Sequence, residues 1–191
     1  MTTVAGLDEA GRGPLAGPVV AAAVVLPPES GEVRAAVTDS KKLAAKRREA
    51  LAARIRESCP HGLGEADVGE IDLWNILAAS QMAMARALDA CPAQPDRALV
   101  DGNRTPALPC PAEAVVGGDA SVPEIAAASI LAKVARDARM AELARDHPGY
   151  GWERNQGYGT REHRDALARL GPTPHHRRSF KPVQRALSSQ T

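Results

Sequence analysis

The chain has 191 residues, 44% of them hydrophobic, which suits one domain with a normal core and at most a small appended part. No run of about 18 apolar residues occurs, no basic segment precedes the apolar stretch 16–26, and the three cysteines lack C-x-x-C spacing; no transmembrane helix, signal peptide, disulfide framework or zinc site is expected, and a reducing cytoplasm fits best. The formal net charge of +1 hides an asymmetry: residues 1–129 carry 12 basic and 17 acidic residues, net −5, and residues 130–191 carry 12 basic and 6 acidic, net +6.

The first predicted strand runs from Val4 into the vicinal acids Asp8 and Glu9. Gly11-Arg12-Gly13-Pro14 follows, and Val19 to Leu26 is apolar again. A plain hairpin needs only turn residues such as Asn-Gly or Asp-Gly. Two acids beside a cluster of small residues suggest a site where backbone and metal both approach a ligand; for either half alone, an acidic turn with flexible glycines is the simpler reading. Pro27 to Gly31 is a loop. Thr38-Asp39-Ser40-Lys41-Lys42 precedes a helix over about 44–57, and its lysines and hydroxyls could hold a phosphate or simply be solvated.

A short strand is predicted over Leu63–Val68. The 3.6-residue periodicity of Ile71, Trp74, Leu77, Ala78, Met82, Ala85 and Leu88 then predicts an amphipathic helix from Glu70 to Ala90, stopped at Cys91-Pro92. Asn75 near its start reads as an exposed helical residue, with a ligand contact as the alternative. Arg97–Asp101 reads as a strand ending in an acid, and Ala114–Asp119 as a second one. Ser121-x-x-Glu124 has the capping-box pattern and opens a helix to about Asp146, with Lys133, Arg136 and Arg139 on one side.

Tyr150 to Gly159 is a loop rich in glycines and rings. Thr160 caps a last helix to about Leu170, closed by Gly171-Pro172. His175 to Lys181 is a basic segment, read as phosphate contact or plain surface. Four of the five aromatic residues (Tyr150, Trp152, Tyr158 and Phe180) lie in this basic part. Positive charge with interspersed rings is the footprint of a nucleic-acid surface, although an ordinary solvated face with packing rings weighs equally on charge alone.

Four carboxylates thus occupy non-helical positions beside glycines or strand ends: Asp8, Glu9, Asp101 and Asp119. Mg²⁺ and Mn²⁺ take oxygen ligands, and two such ions about 4 Å apart can activate water and stabilise the leaving oxygen of a phosphodiester. Without cations the mutual repulsion of the acids would cost stability.

The ordered motifs Gly6-Leu7-Asp8-Glu9-Ala10-Gly11-Arg12-Gly13-Pro14, Asp39-Ser40-Lys41-Lys42-Leu43, Glu70-Ile71-Asp72 with Asn75, Leu99-Val100-Asp101-Gly102-Asn103, Gly118-Asp119, Ile125 to Val134, Gly157-Tyr158-Gly159-Thr160 and His176-Arg177-Arg178-Ser179-Phe180 resemble those of bacterial ribonuclease HII, the type 2 ribonucleases H. The resemblance spans Gly6 to Val183.

It implies an α/β ribonuclease H-like fold, with a central mixed β-sheet flanked by helices and a small C-terminal helical part. Residues 1–146 would form the catalytic domain, and 147–191 a loop and helical extension contributing to substrate binding. It implies an endonuclease that cleaves RNA in RNA–DNA hybrids and nicks 5′ to ribonucleotides embedded in duplex DNA, using two Mn²⁺ or Mg²⁺ ions; a monomer is the simplest expectation. Carried over by position, Asp8, Glu9, Asp101 and Asp119 become the metal-binding acids. Gly11, Arg12 and Gly13 become the loop that approaches the ribose at the junction, Tyr158 the ring that stacks on the adjacent sugar, and Ser40, Lys41 and Lys42 phosphate contacts.

Two departures stand out. Asn155-Gln156 replaces a usual His-Lys pair, which removes a positive charge beside Tyr158 unless Arg154 substitutes for it. Ala44 stands where the family usually has a capping Ser, a loss of about 1 kcal/mol. The rival readings are a metal-dependent DNA nuclease on a related fold, which has no need of a ribose-sensing Gly-Arg-Gly and Tyr158, and a non-catalytic hybrid-binding module, which would not need all four acids.

Overall fold

A computed structural model describes residues 2–40 and 43–188. Five strands, β1 (Val4–Ala10), β2 (Val19–Val25), β3 (His61–Ala66), β4 (Arg97–Asp101) and β5 (Ala112–Val115), form one sheet in the order β3-β2-β1-β4-β5. β1 and β2 pair antiparallel, as do β2 and β3, whereas β1, β4 and β5 run parallel. The sheet is therefore mixed, as expected. The helices are α1 (Gly31–Ala36), α2 (Ala45–Ser58), α3 (Val68–Asp89), α4 (Gly118–Ser121), α5 (Pro123–Asp146), α6 (Trp152–Asn155), α7 (Arg161–Leu170) and α8 (Lys181–Ser188).

The two-residue alternation of a strand sorts β2 between two cores. Val19, Ala21, Ala23 and Val25 pack toward α3 with Ala5, Leu7 and Val100, while Ala22 and Val24 pack with Ile130 and Leu131 of α5 and Ile55 of α2. β2 is buried along its whole length. Small residues let helix backbone lie almost directly on strand backbone. A Cβ at Gly6 would sit 2.1 Å from the carbonyl carbon of Glu124 in α5, and one at Gly64 2.1 Å from the carbonyl oxygen of Ala83 in α3. This close approach is how a chain rich in Ala and poor in rings closes its core. Packing side chains around Met140, Trp152 and Ala166 link the second half of α5 to the C-terminal part, and Ala16 from the β1–β2 connection belongs to the same cluster.

Several boundaries differ from expectation. β3 begins at His61 and stops at Ala66 because Asp67 caps α3: its Oδ1 accepts from Glu70 N at 2.8 Å, and Glu70 Oε2 accepts from Asp67 N at 3.0 Å. The expected box at Ser121 and Glu124 does not form. Val122 occupies the cap position of α5, Ser121 Oγ donates to Gly117 O, and Glu124 pairs with Arg34 at 2.7 Å. The strand expected to reach Asp119 ends at Val115, since Gly117 turns the chain through a left-handed conformation (φ 67°) into α4. Asn75 is no ordinary helical residue. Its φ of 68° kinks α3, and its Oδ1 accepts from Leu77 N and Ala78 N, capping the second half of that helix.

The Thr160 cap is present, its Oγ1 accepting from His163 N at 3.3 Å, and Ala44 heads α2 without a side-chain cap. α1, α4, α6 and α8 were not anticipated.

Candidate active site

β1 and β4 are parallel neighbours, with Leu7 opposite Val100. The next residues, Asp8 and Asp101, therefore sit side by side at the C-terminal ends of adjacent strands. Because Leu7 and Val100 point toward α3, alternation turns Asp8 and Asp101 toward the α5 face. Asp8 Oδ1 accepts from Glu9 N at 2.7 Å, and Glu9 Oε1 meets Arg12 Nη1 at 3.3 Å. Asp101 Oδ1 accepts from Gly118 N at 2.8 Å and from Asp119 N at 3.4 Å, so α4 brings Asp119 against the Asp101 carboxylate.

A cavity of about 380 Å³ opens over these groups. Asp8, Glu9 and Asp101 line it, as do Gly11, Arg12, Gly13, Ser40 and Tyr158, together with Ser129, Lys133 and Arg136 of α5. Asp119, buried, does not line it. Lys41 and Lys42 lie outside the described residues. Ser40 is buried, and its hydroxyl is 2.8 Å from that of Ser129, which lines the same cavity as Asp8.

Burial first, then the negative charges of Glu9 and Asp101, push the Asp8 carboxyl well above the usual carboxylate range. Burial likewise raises Glu9 against the opposing pull of Arg12. Glu9 Oε2 is buried with no hydrogen-bond partner among the described residues. Crowded, desolvated carboxylates with an orphaned acceptor have the donor chemistry of a divalent-cation site. Among the described residues no three acidic, His or Cys side chains form a ready-made metal cage.

Tyr158 also lines the cavity and is 47% exposed, and its ring lies over Gly13, where an added Cβ would be 3.4 Å from Cε1. Tyr150 and Trp152 are buried and Phe180 is partly buried. Of the four rings in the basic part, only Tyr158 lines this cavity, which narrows the expected nucleic-acid surface.

Asn155 is buried, with Nδ2 donating to Tyr150 O and Oδ1 accepting from Gly157 N. It organises the turn that carries Tyr158. Arg154 is engaged by Glu153 and Glu162, so it is not placed as a replacement cation.

The segment read as basic surface has two interior residues, while Arg178, Ser179 and Lys181 are exposed. His176 and Arg177 are fully buried. Arg177 donates to the carbonyls of Gly11, Arg12, Gly17 and Pro18, and Arg136 to those of Ala16, Pro18 and Gln156. Gly11, at φ 99°, leaves no room for a side chain, since an added Cβ would be 1.9 Å from Arg136 Nε. Sequence reasoning missed Ser129, Lys133, Arg136 and Arg177 as site residues. The helical spacing of 129, 133 and 136 was a usable signal for the first three; nothing local marks Arg177.

A family model described as Ribonuclease HII matches residues 5–183. The chain is 60% identical over 182 residues to a protein named Ribonuclease HII from Paramagnetospirillum magneticum, covering 94% of this chain and 90% of that one. It is 58% identical over 185 residues to a Ribonuclease HII from Ruegeria pomeroyi, covering 96% and 78%. Among solved structures it superposes on ribonuclease H2 from Pyrococcus horikoshii with a TM-score of 0.81 at 25% identity, covering 98% of both chains. It also superposes on the ribonuclease HII solved in complex with PCNA from Archaeoglobus fulgidus, with a TM-score of 0.79 at 29% identity, covering 94% of this chain and 95% of that one. The chain belongs to the ribonuclease HII family and is a ribonuclease H, a divalent-metal-dependent endonuclease of the ribonuclease H-like fold.

Proposed function

We propose that this enzyme hydrolyses the RNA strand of RNA–DNA hybrids and nicks duplex DNA 5′ to an embedded ribonucleotide, leaving 3′-hydroxyl and 5′-phosphate ends. The observation that carries this reading is a single cavity lined by the carboxylates Asp8, Glu9 and Asp101 together with Gly11, Arg12, Gly13 and Tyr158. A general DNA nuclease needs the acids but not the second set.

Asp8, Glu9, Asp101 and Asp119 would hold two Mn²⁺ or Mg²⁺ ions, with Asp119 completing the set from beside Asp101. When bound, such a pair supplies an activated water and charge stabilisation for the leaving oxygen. The backbone at Gly11–Gly13 approaches the ribose, and the Tyr158 ring stacks on the neighbouring sugar, where the 2′-hydroxyl distinguishes RNA from DNA. Ser40 is a phosphate contact in this reading, with Lys41 and Lys42 beside it in sequence. Residues 1–146 act as the catalytic part and 147–191 as the extension that helps to bind substrate. The enzyme acts as a cytoplasmic monomer, and no helix among the described residues is long and apolar enough to cross a membrane.

The test is incubation of a DNA duplex bearing one ribonucleotide with the protein and either Mn²⁺ or Mg²⁺, beside an all-DNA control. A nick 5′ to the ribonucleotide and none in the control is expected. No nick under either ion, or equal cutting of the control, would overturn the proposal.

A further inference from the structure

Both parts of the proposed ribose reader are held from behind by two adjacent residues. Arg177 donates through Nη1 to Arg12 O at 2.8 Å, through Nη2 to Gly11 O at 2.6 Å, and through Nε to Gly17 O at 2.9 Å. No ion pair to it occurs among the described residues. An unpaired buried guanidinium is a costly anchor, and a neutral donor would suffice merely to tie a loop down. Its geometry offers more. The C=O and N–H of a trans peptide point in opposite directions, so turning the carbonyls of Gly11 and Arg12 toward Arg177 turns the N–H groups of Arg12 and Gly13 away from it. Neither N–H meets an acceptor among the described residues.

His176 supports the other part. Trp152 Nε1 is only a donor, so His163 Nε2, 3.0 Å away, accepts. His176 Nε2, at 3.1 Å from the same atom, must then carry its proton toward His163. His176 Nδ1 accepts from Thr173 N at 2.9 Å, and His163 Nδ1 donates to Tyr158 O at 3.0 Å. A continuous hydrogen-bonded chain of two neutral imidazoles thus runs from the backbone of Thr173 to the backbone of Tyr158.

We infer that His176 and Arg177 are positioning residues for ribose selectivity: Arg177 aims the Gly11–Gly13 backbone, and His176, through His163, fixes the height of Tyr158 above it. Neither lines the cavity. This rests on the reading under Proposed function that loop and ring together sense the sugar.

The test compares the unmodified protein with Arg177→Lys, whose three donors on one nitrogen cannot span the same carbonyls, and with His176→Gln. Initial rates are measured with Mn²⁺ on a single-ribonucleotide duplex and on a continuous RNA–DNA hybrid, and Mn²⁺ binding is followed by calorimetry. A continuous hybrid offers a ribose at every position of one strand, so a loosened reader still finds one in register; a lone ribonucleotide offers a single chance. The ratio of single-site nicking to hybrid cleavage should fall about tenfold or more in both variants, with Mn²⁺ affinity unchanged. An unchanged ratio, or equal losses on both substrates, would overturn the inference. If Arg177→Lys fails to fold, His176→Gln decides alone. Failure of the unmodified protein to nick would instead remove the underlying reading, and this inference with it.

Discussion

Lowering the pH from 7 to 5 should destabilise the fold by about 2 kcal/mol through His176 alone. This imidazole is fully buried. Burial, followed by the nearby rings of His163, His147 and His175, pushes its pKa down to about 3, against about 6.5 in an unfolded chain. Above pH 6.5 both states carry it neutral, and its contribution to stability is complete. As the pH falls below that value the unfolded chain binds a proton that the folded chain refuses, so stability declines continuously until about pH 3. Burial shifts His163 in the same direction, which adds to the loss. Urea unfolding followed by tryptophan fluorescence, with buried Trp152 as reporter, measures the effect at the two pH values. His176→Gln should be less stable at pH 7 but lose less between pH 7 and 5. The raised carboxyls Asp8 and Glu9 titrate in both proteins, so the difference between them isolates the imidazole. Parallel losses in the two proteins would refute the reasoning.

Asp8→Asn should abolish hybrid cleavage while hybrid binding persists. It should also raise the melting temperature in metal-free buffer: a carboxyl whose folded pKa is raised loses its stabilising contribution as pH climbs through that value, so at pH 7 its charge is a burden. Retained turnover, or a lower melting temperature, would count against the assigned role. Mn²⁺ at a hundred times its dissociation constant should stabilise the unmodified protein by about 2.7 kcal/mol, reversibly on chelation; calorimetric scans without that shift would argue against a cation site. Tyr158→Ala removes a half-exposed ring and should alter stability by less than about 0.5 kcal/mol while impairing nicking at a single ribonucleotide; undiminished nicking would mean that the ring only packs. Gly6→Ala places a methyl group in the backbone of α5 and should cost about 1–3 kcal/mol or more, and a denaturation midpoint equal to that of the unmodified protein would contradict the contact described.

Strands and long helices were legible because their signal is periodic and local. β1, β2 and β4, the helix ending near Asp89 and the Thr160 cap all follow from short-range patterns. So did Asp8, Glu9 and Asp101 as a group, since an acid at a strand end beside glycine stands out whatever the topology. Their juxtaposition depended on β1 pairing with β4 across almost a hundred residues, which no local pattern specifies; resemblance to a family supplied it. Failures came where two local rules competed. Asp67 and Ser121 both head capping-box patterns, and only tertiary packing decides that the first forms while the Glu124 carboxylate goes to Arg34. His176 and Arg177 looked like surface because charged residues are seldom fully buried. The burial of Arg177 depends on carbonyls presented by a loop at the other end of the chain, and that of His176 on the rings of Tyr150, Trp152 and His163. α8 was a missed period: Val183, Ala186 and Leu187 recur at helical spacing and pack on Leu15 and Leu167.

The bond from Arg177 to Gly17 joins residues 160 positions apart. During synthesis β1 and β4 can pair once about a hundred residues have emerged, which assembles Asp8 and Asp101 early. The carbonyls of the 11–18 connection remain without their guanidinium until the segment around Arg177 follows. Domains fold as units, and N-terminal parts become available first, so the acids are in place while the loop beside them is still unanchored. With the roles proposed above, a chain interrupted between these two events would carry the hydrolytic groups without the supports that aim them, and the late segment would be a checkpoint on when selectivity is acquired.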